Sequence, residues 1–280
     1  MTRIIRRYFS ETAGLLTLGA ITVAIVAMRG GGGLAWIAAP LPWVAFMAYY
    51  GYIVARPPLP GNKLSWWLVG MSSLGAAAAF AGPRALAIAL AGGAVVAFYL
   101  TWYSTQHRPA AVLAVGSPLP EFTLTAVDGS PTSSAALMTE PHVILFFRGN
   151  WCPFCMAQVK QIAAEYRELD ARGVKVALIS PQRAADTEQL AGRFDVPMSF
   201  YADVNGEAAK ALDLVQVGGT PLIFAAQTNG DTVVPTVVIT RADGTVAWIH
   251  HADNHRVRPE PSVFLEVIDR EGIGVSRRRA

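Results

Sequence analysis

Hydrophobic and polar positions divide this chain into two unlike regions. Between Thr12 and Tyr103 the charged residues are Arg29, Arg56, Lys63 and Arg84, and they separate four apolar segments, 12–28, 33–55, 64–82 and 85–103. Each is near the roughly 17–25 residues that a bilayer-crossing helix needs. Trp36, Trp43, Tyr49, Tyr50, Trp66, Trp67, Tyr99, Trp102 and Tyr103 gather mostly toward segment ends, as interfacial aromatic side chains do. From about Pro118 the pattern changes to short β-type runs alternating with helical periods. Strands are expected at 122–126, 143–147, 174–179 and 199–201, and helices after Cys152 and at 184–194 and 206–212. Residues 237–240 and 245–250 read as a hairpin closed by Asp243-Gly244, followed by a helix over 261–270 with proline in its first turn.

The pattern predicts a membrane region at 1–103, a linker at 104–117, an α/β domain at 118–270 and a basic tail at 271–280. Strands alternating with helices, then a hairpin and a last helix, give a mixed sheet flanked by helices. No internal repeat is visible.

Composition supports the division. The chain is 52% hydrophobic and 15% charged, too apolar for one soluble domain of 280 residues. The first segment, led by Arg3, Arg6 and Arg7, has the form of a signal peptide but no convincing small-residue cleavage site, so a retained anchor is expected. Six positive charges (Arg3, Arg6, Arg7, Arg56, Lys63, Arg108) flank one face of the four-span arrangement and two (Arg29, Arg84) the other. That bias places the N-terminus inside, and four crossings return the chain to the cytoplasmic side of the cell membrane. A break in the second segment at Pro40 and Pro42 that removed one crossing would invert the answer. The apolar segments carry no acidic residue, histidine or cysteine, so the region reads as an anchor or packing bundle, with Gly70, Gly75, Ala79, Gly92 and Gly93 allowing close helix contact. A net charge of +3 does not suggest a nucleic-acid partner. The partner expected for Arg277, Arg278 and Arg279 is solvent or the anionic surface of the lipid bilayer.

Chemistry concentrates at Phe147-Arg148-Gly149-Asn150-Trp151-Cys152-Pro153-Phe154-Cys155, between a strand and a helix. Cys152 and Cys155 are the only cysteines. A structural disulfide framework would show several spaced pairs, and a zinc site would want a second ligand pair. A Cys-x-x-Cys pair at a helix N-terminus is instead suited to redox work. Free N–H groups and the helix dipole stabilise a thiolate, and the spacing allows a reversible disulfide. Cys152 at the helix start, facing unpaired N–H groups, is expected to attack, and Cys155, more buried inside the first turn, to resolve. Arg148 is a candidate for holding a thiolate, and Trp151 and Pro153 flank the pair. His250, His251, Asp253 and His255 read as a solvated strand end and loop, because adjacent strand residues point to opposite faces.

Four stretches carry a family resemblance. They are Gly116-Ser117-Pro118-Leu119-Pro120-Glu121-Phe122-Thr123-Leu124 with Asp128-Gly129 following, the segment Phe146–Cys155, Tyr201–Leu212, and Val234-Pro235-Thr236-Val237-Val238-Ile239. Together they resemble the redoxins of the thioredoxin-fold superfamily, and within them the alkyl hydroperoxide reductase/thiol-specific antioxidant, or peroxiredoxin-like, group. The resemblance spans nearly all of 116–270 and none of the membrane region. It implies a thioredoxin-like α/β fold and a cis peptide before Pro235, which would set the Val234 backbone beside the sulfurs. Two features depart from the peroxiredoxin pattern. Cys155 falls at the peroxidatic place and Cys152 where a Thr is usual, and no Arg stands at the step occupied by Val234-Pro235.

The resemblance implies a thiol-dependent oxidoreductase with no metal or organic cofactor, and the apolar segments make it membrane-anchored. Its substrate is a peroxide or a protein disulfide, and its partner an external dithiol reductant, thioredoxin-like or a small thiol. The alternative is a non-enzymatic membrane redox sensor switched by the Cys152–Cys155 disulfide.

Overall fold

The computed structural model describes residues 2–55, 62–106 and 112–274. Arg56, Arg108 and the Arg277–Arg279 tail lie outside the described residues, as does part of the linker. The chain falls into two compact units, Met1–Thr105 and Gln106–Ala280.

The first unit is helical. α1 (Thr2–Ala27) runs into a wider π turn at Met28–Gly32. A 3-10 turn at Leu34–Ala38 precedes α2 (Leu41–Ala55). α3 (Asn62–Ser73) tightens into 3-10 helix over Leu74–Ala81, and α4 (Pro83–Phe98) ends in a π turn at Tyr99–Tyr103. Among the described residues two helices, Thr2–Gly32 and Pro83–Tyr103, are long and apolar enough to cross a membrane, not the four expected. The second segment is broken just before α2, where Pro40 has no N–H to continue a helix. The third keeps only a shorter apolar helix, Trp66–Ala81.

Aromatic side chains bind this unit together. Phe9 stacks on Tyr103 with ring centroids 4.3 Å apart, and Phe46 meets Tyr99 edge-on at 5.1 Å. Trp43 Nε1 donates to the Ile88 carbonyl at 3.0 Å. A Cβ at Gly92 would lie 2.7 Å from the Trp43 indole, and one at Gly75 2.7 Å from Pro42, so both glycines permit contact as expected. Gly70 and Gly93 face open space and do not.

The second unit is an α/β sandwich. Its elements are β1 (Thr123–Ala126), β2 (Pro131–Ser133), β3 (His142–Phe146), α5 (Pro153–Ala164), α6 (Tyr166–Ala171), β4 (Lys175–Ser180), α7 (Ala184–Ala191) and β5 (Ser199–Ala202). After them come α8 (Glu207–Ala211), β6 (Val215–Gln216), α9 (Ala225–Thr228), β7 (Thr232–Val233), β8 (Thr236–Thr240), β9 (Val246–His251) and α10 (Pro261–Arg270). Among the described residues seven strands form one mixed sheet in the order β2-β1-β5-β4-β3-β8-β9, and β6 and β7 form a separate small ladder. β3, β4 and β5 are mutually parallel, β8 pairs antiparallel with β3, and β9 closes the sheet antiparallel to β8.

This is the mixed sheet flanked by helices expected from the pattern. Every residue of β3 is buried, because helices cover both faces of the sheet centre and an apolar run is the only sequence that suits such a strand. Ile144, Phe146, Ile179, Leu212 and Val238 lie in the same core cluster. Leu113, inside the expected linker, also packs there.

Candidate active site

β3 ends at Phe146, and Phe147 extends it by donating its N–H to the Ile179 carbonyl at 2.9 Å. The chain then turns through Gly149 and enters α5. Gly149 has φ +144°, and a Cβ there would sit 2.6 Å from Trp151 Nε1. A side chain is therefore excluded twice, by backbone conformation and by the indole. Cys152 is the N-cap of α5, in extended conformation, and Pro153 occupies the first helical turn, where its missing N–H costs nothing. The Cys152 carbonyl accepts the Met156 N–H at 3.0 Å, but its side chain makes no capping hydrogen bond.

Both cysteines are free thiols and both are buried, Cys152 to 1% exposure and Cys155 to 0%. Cys155 was expected to be the more buried sulfur, but Cys152 at the helix entrance is buried almost as fully. Burial pushes both thiols up, and at Cys152 this dominates, reinforced by the neighbouring Cys155. At Cys155 burial is outweighed by hydrogen bonds from the Cys152 thiol and the Arg148 backbone N–H and by the charges of Arg258 and Arg148, and the thiol comes down to about 6. The thiol that its surroundings lower is thus Cys155, whereas the expectation placed the attacking thiolate at Cys152. The helix N-terminus gives Cys152 no hydrogen bond, while the surrounding donors converge on Cys155.

Two buried guanidinium groups flank the sulfurs. Arg148 is 4% exposed, donates from Nη2 to the Gly219 carbonyl, and lies over the Trp151 ring at 4.9 Å. Arg258 is 7% exposed, and its Nη2 lies 4.0 Å from Cys155 Sγ. Among the described residues neither is paired with a carboxylate. Trp151 stacks on Phe224, with centroids 5.8 Å apart. The segment from β6 to β7 thereby lies over the turn, and Thr232 Oγ1 anchors it by donating to the Arg148 carbonyl at 2.9 Å. From the other side, Gln182 Oε1 accepts the Asn150 N–H at 2.8 Å.

Arg148, Trp151, Cys152, Pro153 and Cys155 are therefore gathered at one corner. Val234 and Pro235 lie at the start of β8, whose Thr236 pairs with Phe146. The expected cis peptide before Pro235 is absent: no described peptide bond is cis. Pro235 is an ordinary trans proline leading into a strand, its carbonyl accepting Ala252 N–H at 2.9 Å. The Val234 N–H donates to the Leu214 carbonyl at 2.7 Å and its carbonyl accepts Thr236 Oγ1 at 3.1 Å. The Val234 backbone is therefore engaged within the fold, not presented to an extended partner.

The loop after β9 also differs from the expected solvated end. His255, Arg256 and Arg258 are buried, and the His255 ring packs on Phe154 at 5.7 Å. Arg258, Phe224 and Gln182 were missed as site residues. The turn signals Gly218-Gly219 and Asn229-Gly230 around Leu222–Phe224 mark the covering segment. No local signal marks Arg258.

Residues 115–249 match the family model described as "AhpC/TSA family". Over 126 residues the chain is 26% identical to a thiol-disulfide oxidoreductase ResA from Oceanobacillus iheyensis, covering 43% of this chain and 63% of that protein. Over 95 residues it is 26% identical to a putative chloroplastic peroxiredoxin Q from Oryza sativa subsp. indica, covering 34% of this chain and 44% of that one. The chain thus spans less than two thirds of either relative's length. A crystal structure of the peroxidoxin BcpB from Mycobacterium tuberculosis superposes with a TM-score of 0.47 at 16% identity, over 56% of this chain and 97% of that one.

Proposed function

We propose that this chain, whose residues 115–249 match the AhpC/TSA family, is a membrane-anchored thiol oxidoreductase that reduces a small peroxide with the Cys152–Cys155 dithiol. The observation that carries this reading is a buried thiol pair, one member acidified to about 6, between two buried guanidinium groups. A thiolate is the nucleophile needed to attack a peroxide, and burial at 0–1% exposure admits a small molecule more readily than a folded protein.

The reaction balances with the groups present and one outside reductant. A thiolate attacks a peroxide oxygen; a sulfur–oxygen bond forms, the oxygen–oxygen bond breaks, and the departing alkoxide takes up a proton and leaves as alcohol. The second thiol then attacks the sulfenic acid. A disulfide forms, the sulfur–oxygen bond breaks, and the oxygen leaves as water. An external dithiol, thioredoxin-like or small, returns both sulfurs to thiols by exchange.

Membrane anchoring rests on the two apolar helices. Arg6 Nη2 donates to the Thr105 carbonyl at 3.3 Å and its guanidinium lies over Trp102 at 5.0 Å, so the two ends of the helical unit adjoin. Ends that adjoin suit an even number of crossings, and Arg3, Arg6 and Arg7 then favour the cytoplasmic side for the redox unit.

A second reading, exchange with protein disulfides, is favoured by the Cys-x-x-Cys spacing and by the likeness to ResA. Rapid mixing of the reduced full-length protein with hydrogen peroxide, and separately with a disulfide-bonded protein, separates the two. Peroxide is expected to close the Cys152–Cys155 disulfide orders of magnitude faster than it oxidises a free thiol. A peroxide rate equal to that of a free thiol, with fast reaction of the protein disulfide, would replace the first reading by the second.

A further inference from the structure

We propose that Arg258, reaching the site from the loop between β9 and α10, is the positioning residue that makes Cys155, the second cysteine of the pair, the sulfur that attacks first. The proposal rests on the dithiol reading above and assigns an order within it.

The loop is built to hold this guanidinium. Arg258 is followed by Pro259, which bars it from helical conformation, and Pro261 then starts α10. Asn254 organises the turn before it: its Oδ1 accepts the Arg256 N–H at 3.0 Å and its carbonyl the Val257 N–H at 3.0 Å. Arg258 Nη1 donates to the carbonyls of Asn254 at 3.3 Å and Val257 at 3.2 Å. With one end of the fork so fixed, Nη2 is directed at Cys155 Sγ, 4.0 Å away. The His255 ring on Phe154, the residue beside Cys155, ties the loop to the first turn of α5.

The asymmetry between the sulfurs follows. Cys155 receives donors from three directions: the Arg258 guanidinium, the Arg148 backbone N–H and the Cys152 thiol. Arg258 is buried and has no carboxylate partner among the described residues, so a thiolate at Cys155 is the anion it meets. The attraction between a thiolate and a guanidinium is stronger in such surroundings than at a wet surface, and it opposes the cost of burying the thiolate. The titratable and charged groups around the pair are Arg148 at the end of β3, Arg258, Asp253 and His255 on the loop, and His250 on β9. Burial first, and the Arg258 charge second, hold His250 below its ordinary value. His250 therefore adds no positive charge near neutrality.

The test uses reduced full-length protein and no peroxide. Thiolate absorbance is followed against pH in the wild type, Arg258→Gln and Arg258→Lys, and the sulfur first alkylated is identified by peptide mass. Arg258→Gln is expected to raise the Cys155 midpoint by about one pH unit or more, and Arg258→Lys to recover most of that shift. Thermal unfolding checks that each variant is folded; if Arg258→Gln is not, Arg258→Met is measured with the same expectation. A folded neutral variant with an unshifted midpoint, or first alkylation at Cys152, overturns the proposal. A protein that titrates as expected but ignores peroxide would sink the peroxidase reading and leave the Arg258 assignment standing.

Discussion

The corner between β3 and α5 and the loop between β9 and α10 meet at the same sulfur by different routes. The corner is local. An apolar strand, a glycine at φ +144°, a cysteine N-cap and a proline in the first turn follow one another in the chain, and each dictates the next step of the backbone. The loop is non-local, because Arg258 is 103 residues from the Cys155 it contacts. The corner puts two sulfurs one helical turn apart but leaves them equivalent in principle. The loop supplies the charge that separates them. Reactivity at this site is thus a product of tertiary folding laid over a local motif.

That contrast can be broken or sharpened by measurement, beginning with the largest effect. Cys155→Ser should abolish peroxide-driven oxidation, whereas Cys152→Ser should still form a sulfenic acid once and then stop, read by mass after trapping. Loss with Cys152→Ser and retention with Cys155→Ser would reverse the roles.

Next comes pH. A thiolate is the reactive form, and the Cys155 thiol titrates at about 6. The rate of peroxide reaction should be near its plateau at neutral pH and fall about tenfold for each pH unit below the midpoint. A rate still rising steeply from neutrality to pH 9 would mean that no acidified thiol carries the reaction.

Gly149→Ala tests the corner alone. It places a Cβ against the Trp151 indole in a conformation that alanine resists, and should cost about 1–3 kcal/mol, seen as a lowered Tm. An unchanged Tm would show that the turn is not constrained as described. The smallest effect is at the covering segment. Phe224→Ala removes the stack on Trp151 and should cost about 1 kcal/mol while speeding alkylation of the buried sulfurs. Unaltered alkylation would separate the segment from access to the site.

Legibility in the sequence followed the same local and non-local division. β3, β4 and α5 could be read from apolar runs and helical period, and the β8–β9 hairpin from Asp243-Gly244, because neighbouring residues decide those structures. Pro261 fixed the start of α10 in the same way. The β6 and β7 strands, two residues each, carry too few side chains to show a period. The helical unit was misread for a related reason: Pro40, Gly33 and the 3-10 stretch at Leu74–Ala81 interrupt runs whose hydropathy alone looks continuous. At the site, Cys152, Cys155, Arg148 and Trp151 were visible as a cluster because they are close in sequence. The surroundings of the two sulfurs were not legible, because helix position drew attention to Cys152, while the donors around Cys155 include a guanidinium from the far end of the domain.

The most direct measurement is a brief pulse of a small alkylating reagent on the reduced full-length protein near pH 6.5, with the modified cysteine identified by peptide mass. Modification should be found first and predominantly at Cys155. Predominant modification at Cys152 would contradict the account, because it would place the thiolate at the helix N-cap and leave Arg258 without a role in setting the order of the pair.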